Sequence, residues 1–283
     1  MIFATIHDKS SLKALKEAGC DGIIIGVVHL ALHCPCMVEL DEIAQWKESC
    51  DQLGLDLYVN GTKMMMDEDL PLVLKTLQRC QSLGIQGFYF ADEGVLQLAK
   101  EIGYQQALIY QPETLIANHL DAQFYLNQGI QAVSLAHELS LEEIKKIAPT
   151  PHLEVLINGY FSILYSRRPL ISNYMHQENI EVPSTLQYDL IEATRTDRMP
   201  ILQDETGTHI FSEQPIQSYN EIQTLKECGI SRFRIDSIFQ SDAWTLDILK
   251  AYKEHLVMPG SDHWYHQQTI RKKEEQKSIK LNC

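Results

Sequence analysis

The sequence lacks any apolar run long enough to cross a membrane. One of its longest runs, Ile23 to Val28, has the length of a single β-strand, whereas a membrane-spanning helix needs roughly 20 apolar residues. The amino terminus has no basic start followed by a long apolar stretch, so we expect no signal peptide. We therefore expect a cytoplasmic protein that does not associate with membranes.

Basic residues are also scarce. The 24 lysines and arginines face 38 aspartates and glutamates, which leaves a net charge of −14. This balance excludes a general nucleic-acid binder, because phosphate backbones are bound by clusters of cations that displace counterions. It leaves room for a local basic site. The 283 residues, 45% of them hydrophobic, suit one large or two small globular domains and exclude wholesale disorder.

Several catalytic motifs are missing. The chain has no Gly-x-Gly-x-x-Gly, no Walker loop, no Gly-x-Ser-x-Gly and no His-Glu-x-x-His. The cysteines are seven, an odd number spread over a long chain, which is typical of reduced thiols. His33-Cys34-Pro35-Cys36 lacks a second ligand pair at matching spacing, so we expect thiols there that are buried or without a function, and no metal site.

One pattern recurs along the chain: the end of an amphipathic helix, a glycine, and then a short apolar strand. Glycine closes a helix in the left-handed conformation, and the chain then turns directly into a strand. The strands introduced in this way are Ile23–Val28, Asp56–Val59, Gly87–Phe90, Ala107–Tyr110, Ala132–Leu135 and Arg232–Ile235. Ile2–Ile6 and Leu153–Ile157 bring the number to eight. Eight such units predict a (β/α)8 TIM-barrel-like fold, and a doubly wound open sheet is the less favoured alternative.

The spacing of the units predicts an insertion after the seventh strand. Gly129 and Gly229 lie 100 residues apart, far more than one additional unit needs. We expect the insertion over about residues 160–215, with a β-hairpin formed by Met199–Asp204 and Thr208–Phe211. Residues 1–255 are expected to form a single barrel-like domain, and residues 256–283 a partly disordered, basic tail.

Active sites of parallel barrels lie at the carboxyl ends of the strands. The polar residues at these ends are His7, Asp8, His29, Asn60, Lys63, Asp92, Glu93, Gln111, Glu113, Asn118, His137, Glu138, Asn158 and Asp236. For each residue singly, loop polarity or helix capping competes with a functional role. As a set, they predict only a polar rim.

Arginines are concentrated late in the chain. Arg79 is the only one among the first 166 residues, whereas six of the eight lie between positions 167 and 234. Arginine suits recognition of carboxylates and phosphates, so Arg167 and Arg168, just after the seventh strand, indicate an anion site, with a surface ion-pair network as the alternative. Arg234 lies between two apolar residues; if it faces the barrel interior near Asp236 or Glu154, it is a buried, paired charge that serves the site.

The segment that contains these arginines resembles a known family. Glu154-Val-Leu-Ile-Asn-Gly159, followed by Tyr165-Ser-Arg-Arg-Pro-Leu-Ile-Ser-Asn-Tyr174, resembles the signature region of the peptidase U32 family, the collagenase-like proteases. The stretches Glu113–Asn118, Leu135–Ile144, Pro200–Asp204 and Phe233–Asp236 are similar to other parts of the family pattern, in the same order. The resemblance covers about residues 1 to 255.

The resemblance implies a barrel-like bacterial protein of one of two kinds. Some members are described as peptidases, which are hydrolases; others take part in oxygen-independent hydroxylation, for example of the tRNA wobble uridine. Many of the latter bind an iron–sulfur cluster through four cysteines. This chain departs from that pattern, because it has no cysteine between Glu154 and Cys228. We therefore expect no cluster of the family type, and a chain similar to the short, cysteine-poor hydroxylation proteins of Gram-positive bacteria.

Three functional hypotheses follow. The first is a component of tRNA wobble-uridine 5-hydroxylation that binds a small anion, a prephenate-like carboxylate or a tRNA phosphate, at the barrel mouth. The second is a U32-type peptidase, and the third is a non-catalytic partner of a longer family member. The expected ligand-binding residues are Arg167, Arg168, Arg234 and Lys63, with Glu154 and Asp236 orienting the arginines, and Asn118, Glu138, Tyr165 and Ser166 nearby.

Overall fold

A computed structural model describes residues 1–191, 198–256 and 263–266. Its centre is a closed barrel of eight parallel strands, because the first strand pairs with both the second and the eighth. The remaining strands pair with their neighbours in chain order. They are β1 (Ile2–Thr5), β2 (Gly22–Val27), β3 (Asp56–Gly61), β4 (Gly87–Phe90), β5 (Leu108–Tyr110), β6 (Ala132–Ser134), β7 (Leu153–Gly159) and β8 (Arg232–Ile235). The predicted (β/α)8 fold is confirmed.

A helix follows each barrel strand and packs against the outside of the barrel. The helices are α1 (Leu12–Ala18), α2 (Ile43–Leu53), α3 (Leu70–Leu83), α4 (Glu93–Glu101), α5 (His119–Leu126), α6 (Leu141–Ile147), α7 (Ile222–Glu227) and α8 (Asp242–Glu254). At the start of α6 the Ser140 and Glu143 side chains each accept the other's backbone amide, which satisfies two N–H groups that the helix cannot pair. In the described part of the chain, no helix has both the length and the apolar character needed to span a membrane.

Shorter elements complete the barrel. Strand Met37–Val38 lies beside β2, and strand Ile216–Gln217 lies antiparallel to β7. Single 3-10 turns occur at Lys9–Ser11, Leu40–Glu42 and Gln105–Ala107, and a four-residue helix spans His263–His266.

The insertion after β7 forms a small layer of its own. Its four antiparallel strands stand in the order Leu186–Ile191, Arg198–Asp204, Gly207–Phe211 and Ser162–Ser166, and helix Leu170–Gln177 packs on them. The two middle strands are the predicted hairpin. Gly207 at its turn has φ +139°, and a Cβ there would lie 2.2 Å from the Ser166 carbonyl oxygen. Only glycine therefore allows the turn to sit against the end of the neighbouring strand.

The barrel interior contains charged residues as well as apolar ones. Glu154 is fully buried, accepts a hydrogen bond from the Tyr89 hydroxyl at 2.8 Å, and lies 3.3 Å from Arg232 Nε. The Arg232 guanidinium is also 4.3 Å from the centroid of the Phe3 ring and 5.4 Å from that of Tyr58. The arginine is thus held by one carboxylate and by the faces of two rings.

This pairing predicts a large effect of removing the carboxylate. Glu154→Ala should lower the free energy of unfolding by about 3–5 kcal/mol, because it leaves a buried guanidinium without its counter-ion. Urea unfolding followed by circular dichroism measures the change. Glu142→Ala, which removes a solvent-exposed carboxylate paired with Lys145 on α6, is the control and should leave stability nearly unchanged. Equal losses in the two variants would contradict the assigned role of the interior pair.

Candidate functional site

Two adjoining cavities lie at the carboxyl end of the barrel. The larger, which we call the mouth groove, has a volume of about 590 Å³ and runs between the loops that follow β3, β4 and β5 and the insertion strand Ser162–Ser166. Its lining includes the carboxylates of Asp92, Glu93 and Glu113 and the amide of Gln111, with no lysine or arginine among the lining residues. A groove with this lining favours neutral or cationic groups over anions.

The smaller cavity, which we call the inner cavity, lies deeper in the barrel. It has a volume of about 20 Å³, which is room for about one water molecule. Arg234, Asp236, His137 and Tyr89 contribute to its walls, and Gln111 borders both cavities. A metabolite-sized ligand does not fit in the inner cavity.

Arg234 organises the inner cavity. It is 2% exposed, and its Nη2 lies 3.0 Å from His137 Nε2 and 3.2 Å from Asp236 Oδ2. Because a guanidinium only donates hydrogen bonds, His137 Nε2 is the acceptor and the ring proton sits on Nδ1. His137 Nδ1 and Arg234 Nε have no partner among the described residues. Two buried N–H groups of residues that line the inner cavity are therefore without an acceptor in that part of the chain.

The surroundings of Arg234 also change the acidity of its neighbours. Burial, and then the charge of Arg234, lower the pKa of His137 to about 3, so that the imidazole is neutral near pH 7. Burial raises the pKa of Asp236, and the charge of Arg234 opposes that rise. His137 therefore acts as a neutral hydrogen-bonding group at this site.

A chain of side chains joins the insertion to the barrel. His33 Nδ1 lies 3.3 Å from Glu113 Oε1, and His33 Nε2 lies 2.5 Å from His209 Nδ1. On the other side of its ring, His209 Nε2 is 2.9 Å from the Thr206 hydroxyl, which donates to Asp204 at 2.6 Å. His33 follows β2, Glu113 follows β5, and the other three residues belong to the insertion hairpin, so this chain closes the hairpin over the mouth.

Both ends of this chain are anionic. Burial would raise the pKa of Glu113, but the charge and hydrogen bond of His33 lower it to about 2. Burial acts in the same direction on Asp204, and the hydrogen bonds from His209 and Thr206 lower its pKa to about 2. His33 and Glu113 also hold left-handed backbone conformations, with φ of 52° and 64°. Such strained conformations in non-glycine residues concentrate at functional sites.

The predicted arginine site is divided by the structure. Arg234 and Asp236 meet at the inner cavity, whereas the side chains of Arg167 and Arg168 are exposed and line neither cavity. Lys63 pairs with Asp69 at 2.8 Å. Burial would raise the pKa of Asp69, but the hydrogen bond from Lys63 and the charges of Lys63 and Arg167 keep it below its ordinary value. Arg167 is therefore close enough to the Lys63–Asp69 pair for its charge to act on Asp69.

The other predicted site residues have separate surroundings. Tyr165 lines the mouth groove and stacks on His209, with 4.7 Å between ring centroids, and Ser166 accepts the backbone amide of Arg168. Asn118 caps α5 by accepting two backbone amides, and Glu138 is exposed. Glu154 pairs with Arg232, below the mouth, and not with the arginines that we expected it to orient.

Sequence reasoning missed His209, Thr206 and Tyr89, and it considered His33 only as part of a metal motif. The signal for His209 was available in the predicted hairpin, where it shares a face with Phe211 and so points towards the barrel. No group of three or more metal-ligating side chains is present in the described ranges. At the positions where cluster-binding relatives are expected to have cysteines, Tyr165, Ser166 and Arg167 supply no thiolate, so these residues do not fit an iron–sulfur cluster.

Comparisons with known proteins agree with this architecture. A family model described as Peptidase family U32 matches residues 7–280. The tRNA hydroxylation protein P2 of Bacillus subtilis (strain 168) is 22% identical over 260 residues, which are 89% of this chain and 84% of that protein. The Collagenase of Porphyromonas gingivalis (strain ATCC BAA-308 / W83) is 20% identical over 99% of this chain and 71% of its own length.

Other relatives are longer than this chain. The tRNA hydroxylation protein P of Helicobacter pylori (strain J99 / ATCC 700824) is 26% identical over 277 residues, but the match covers only 64% of that protein. Among solved structures, the U32 peptidase Mk0906 superposes with a TM-score of 0.52 at 14% identity, covering 83% of this chain and 91% of that one. This structural likeness shows a shared fold.

The low pKa of His137 predicts loss of stability in acid. An unfolded histidine titrates near pH 6.5, whereas the folded protein takes up this proton only near pH 3, so stability falls as the pH drops through this window. Between pH 7 and pH 5 this residue should account for a loss of about 2 kcal/mol, measured by urea unfolding. His137→Gln should remove that part of the pH dependence, whereas the exposed control His119→Gln should retain it.

Proposed function

This chain belongs to peptidase family U32, and from that premise we propose that it is a cytoplasmic component of tRNA hydroxylation, acting at carbon 5 of the wobble uridine. The observation that carries the proposal is the similarity to tRNA hydroxylation protein P2, which extends over 84% of that protein. The mouth groove is the place where we expect a nucleotide to bind.

The character of the groove supports a base as its occupant. Its carboxylates repel phosphate, whereas the single N3–H donor of a uracil ring can pair with a carboxylate oxygen such as that of Glu113, and a uracil carbonyl can accept from the amide of Gln111. Tyr165 offers an aromatic ring on the wall formed by the insertion strand, and single-stranded RNA bases are commonly held by stacking on such rings. A wobble base sits in a loop, where it can be turned outwards at low cost.

The cations outside the groove would bind the negative charges. We propose that Arg167, Arg168 and Lys63 hold a tRNA phosphate, or the carboxylate of a prephenate-like metabolite, at the rim. Arg234 has a different role in this proposal: buried beside Asp236 and His137, it presents a fixed positive charge beneath the groove without touching a large ligand. This division replaces the single arginine cluster that the sequence predicts.

The peptidase alternative has weaker geometric support. Ser166 Oγ accepts the backbone amide of Arg168 at 3.3 Å, and no histidine pairs with this serine among the described residues. A serine without a base is a poor nucleophile. The third hypothesis, a non-catalytic partner of a longer family member, agrees with the fact that the chain spans only 62% of tRNA hydroxylation protein P1 of Bacillus subtilis (strain 168).

Mass spectrometry of tRNA nucleosides from a strain that lacks this protein tests the proposal. We expect 5-hydroxylated wobble uridine and its derivatives to disappear, and to return when the gene is restored. Unchanged nucleosides would reject a role in hydroxylation and leave the peptidase or the partner hypothesis.

Complementation of the same strain tests the site. Arg167→Ala should restore no more than about a tenth of the modification, by loss of a charge-assisted contact of roughly 1.5–3 kcal/mol. Arg79→Ala, which removes an arginine from the outer helix α3, is the matched control and should restore it fully. Full restoration by both Arg167→Ala and Arg234→Ala would reject the assigned site while leaving the hydroxylation role intact.

A further inference from the structure

Strand Leu186–Ile191 forms one edge of the insertion sheet. Strand Leu186–Ile191 pairs with Arg198–Asp204 through all six of its residues on one side, and on its other side it has no strand partner among the described residues. Five of its six residues are exposed. Natural edge strands are usually guarded by charged side chains, most often lysine, by proline, by a bulge or by a very short length. Leu-Gln-Tyr-Asp-Leu-Ile has one charged residue, Asp189, and none of the other features.

An apolar row crosses the outward face of the same sheet. Tyr188 is paired with Ile201, Ile201 with Ile210, and Ile210 with Leu164, so these side chains share one face. The residues at the two ends, Leu164 and Tyr188, are each 41% exposed. The opposite face carries His209 and is turned towards the barrel.

The apolar face is only partly covered. Helix Leu170–Gln177 packs through Ile171 and Met175 against Leu186 and Ile201. Leu190, paired with Met199 in the next row, remains 38% exposed. The part of the face next to the free edge is therefore apolar, exposed and adjacent to unpaired backbone groups, which are the features of a strand-pairing interface.

We propose that two copies of this chain pair through strand Leu186–Ile191, antiparallel, about a two-fold axis at Tyr188. In this register Tyr188 faces its own copy, Leu186 faces Leu190 of the second copy, and Gln187 faces Asp189. The two four-stranded insertion sheets become one eight-stranded sheet, with the apolar rows continuous across the axis. The proposal stands apart from the proposed function, since it concerns a surface away from the mouth groove.

The charge of Asp189 and the face of the sheet on which each side chain lies together select this register. A two-fold axis perpendicular to the sheet keeps the same face of both copies on one side. Two residues that lie directly opposite each other must therefore both have even numbers or both have odd numbers. An axis at Asp189 would place two carboxylates opposite each other, which is unfavourable. An axis at Gln187 would pair fewer residues of the strand. The axis at Tyr188 places apolar residues opposite apolar residues. It places Asp189, the only charged residue of the strand, opposite the amide of Gln187.

The same pattern favours a second copy as the occupant. An isologous interface requires a surface that is complementary to itself. The strand reads apolar, polar, apolar, polar, apolar from Leu186 to Leu190, so it matches its own reverse about Tyr188. A strand with a net positive or negative run would instead call for a partner of opposite charge.

Sedimentation of the full chain over a range of concentrations tests the proposal. We expect a monomer–dimer equilibrium for the unmodified protein. Tyr188→Lys, which opposes two ammonium groups at the axis, should raise the dimer dissociation constant more than tenfold. Gln187→Lys is the matched control: it adds the same charge one residue away, but opposite Asp189 of the second copy, and should leave the dimer intact. Circular dichroism checks that both variants are folded.

Disulfide trapping tests the register. Tyr188→Cys should give a covalent dimer under mild oxidation, because the two residues at the axis lie directly opposite each other at about 4.5–5.5 Å between Cβ atoms, and a closer approach of the two strands by about 1 Å reaches the roughly 3.5–4.5 Å of a disulfide. Gln187→Cys should give no more than the unmodified protein, whose own cysteines set the background. A monomer at every concentration, equal weakening by both lysine variants, or trapping at position 187 instead of 188 would overturn the proposal.

Discussion

The pairing of buried charges inside the barrel is the constraint on which the rest of the structure depends. Glu154 has no solvent exposure, and Arg232 and Arg234 are 8% and 2% exposed. An unpaired ion in such surroundings costs several kcal/mol. The parallel register of β7 and β8 places Glu154 opposite Arg232, and two residues further along β8 the same register brings Arg234 to the mouth. The position of the site thus follows from the pairing below it.

The insertion determines the shape of the site. Without it the barrel would present an open polar rim; with it, strand Ser162–Ser166 forms one wall of a groove, and the contacts of His33 with Glu113 and His209 hold that wall in place. The insertion also keeps Arg167 outside the groove. The site therefore combines an acidic mouth groove with basic side chains outside it. This arrangement suits a ligand with a neutral part and an anionic part, as a nucleotide has.

The fold was predictable because its signals are local. Each signal, a glycine that closes a helix and the short apolar strand after it, lies within only about ten residues, and it recurs in successive units of the parallel fold. That Arg234 points away from Phe233 and Ile235 followed in the same way from the alternation of side chains along a strand, but which of the two faces is the barrel interior did not. The grouping of Arg167 with Arg234 was not found in the structure, because a place at the ends of neighbouring strands says nothing about where the intervening insertion carries a side chain. The pairing of His33 with His209, 176 residues apart, had no local signal at all.

The sequence by itself determined the number of strands, their parallel order and the presence of an inserted hairpin, since these depend on short-range periodicity and on turn chemistry. It also determined that six of the eight arginines of this acidic chain lie between positions 167 and 234. Only the tertiary structure decided which charges are buried together, which are left at the rim, and which edge of the insertion sheet is free. Those outcomes depend on the register of the strands and on the path by which the insertion returns to the barrel. Long-range packing sets both, because the cost of desolvating each buried charge has to be offset by an oppositely charged or hydrogen-bonding partner from elsewhere in the chain.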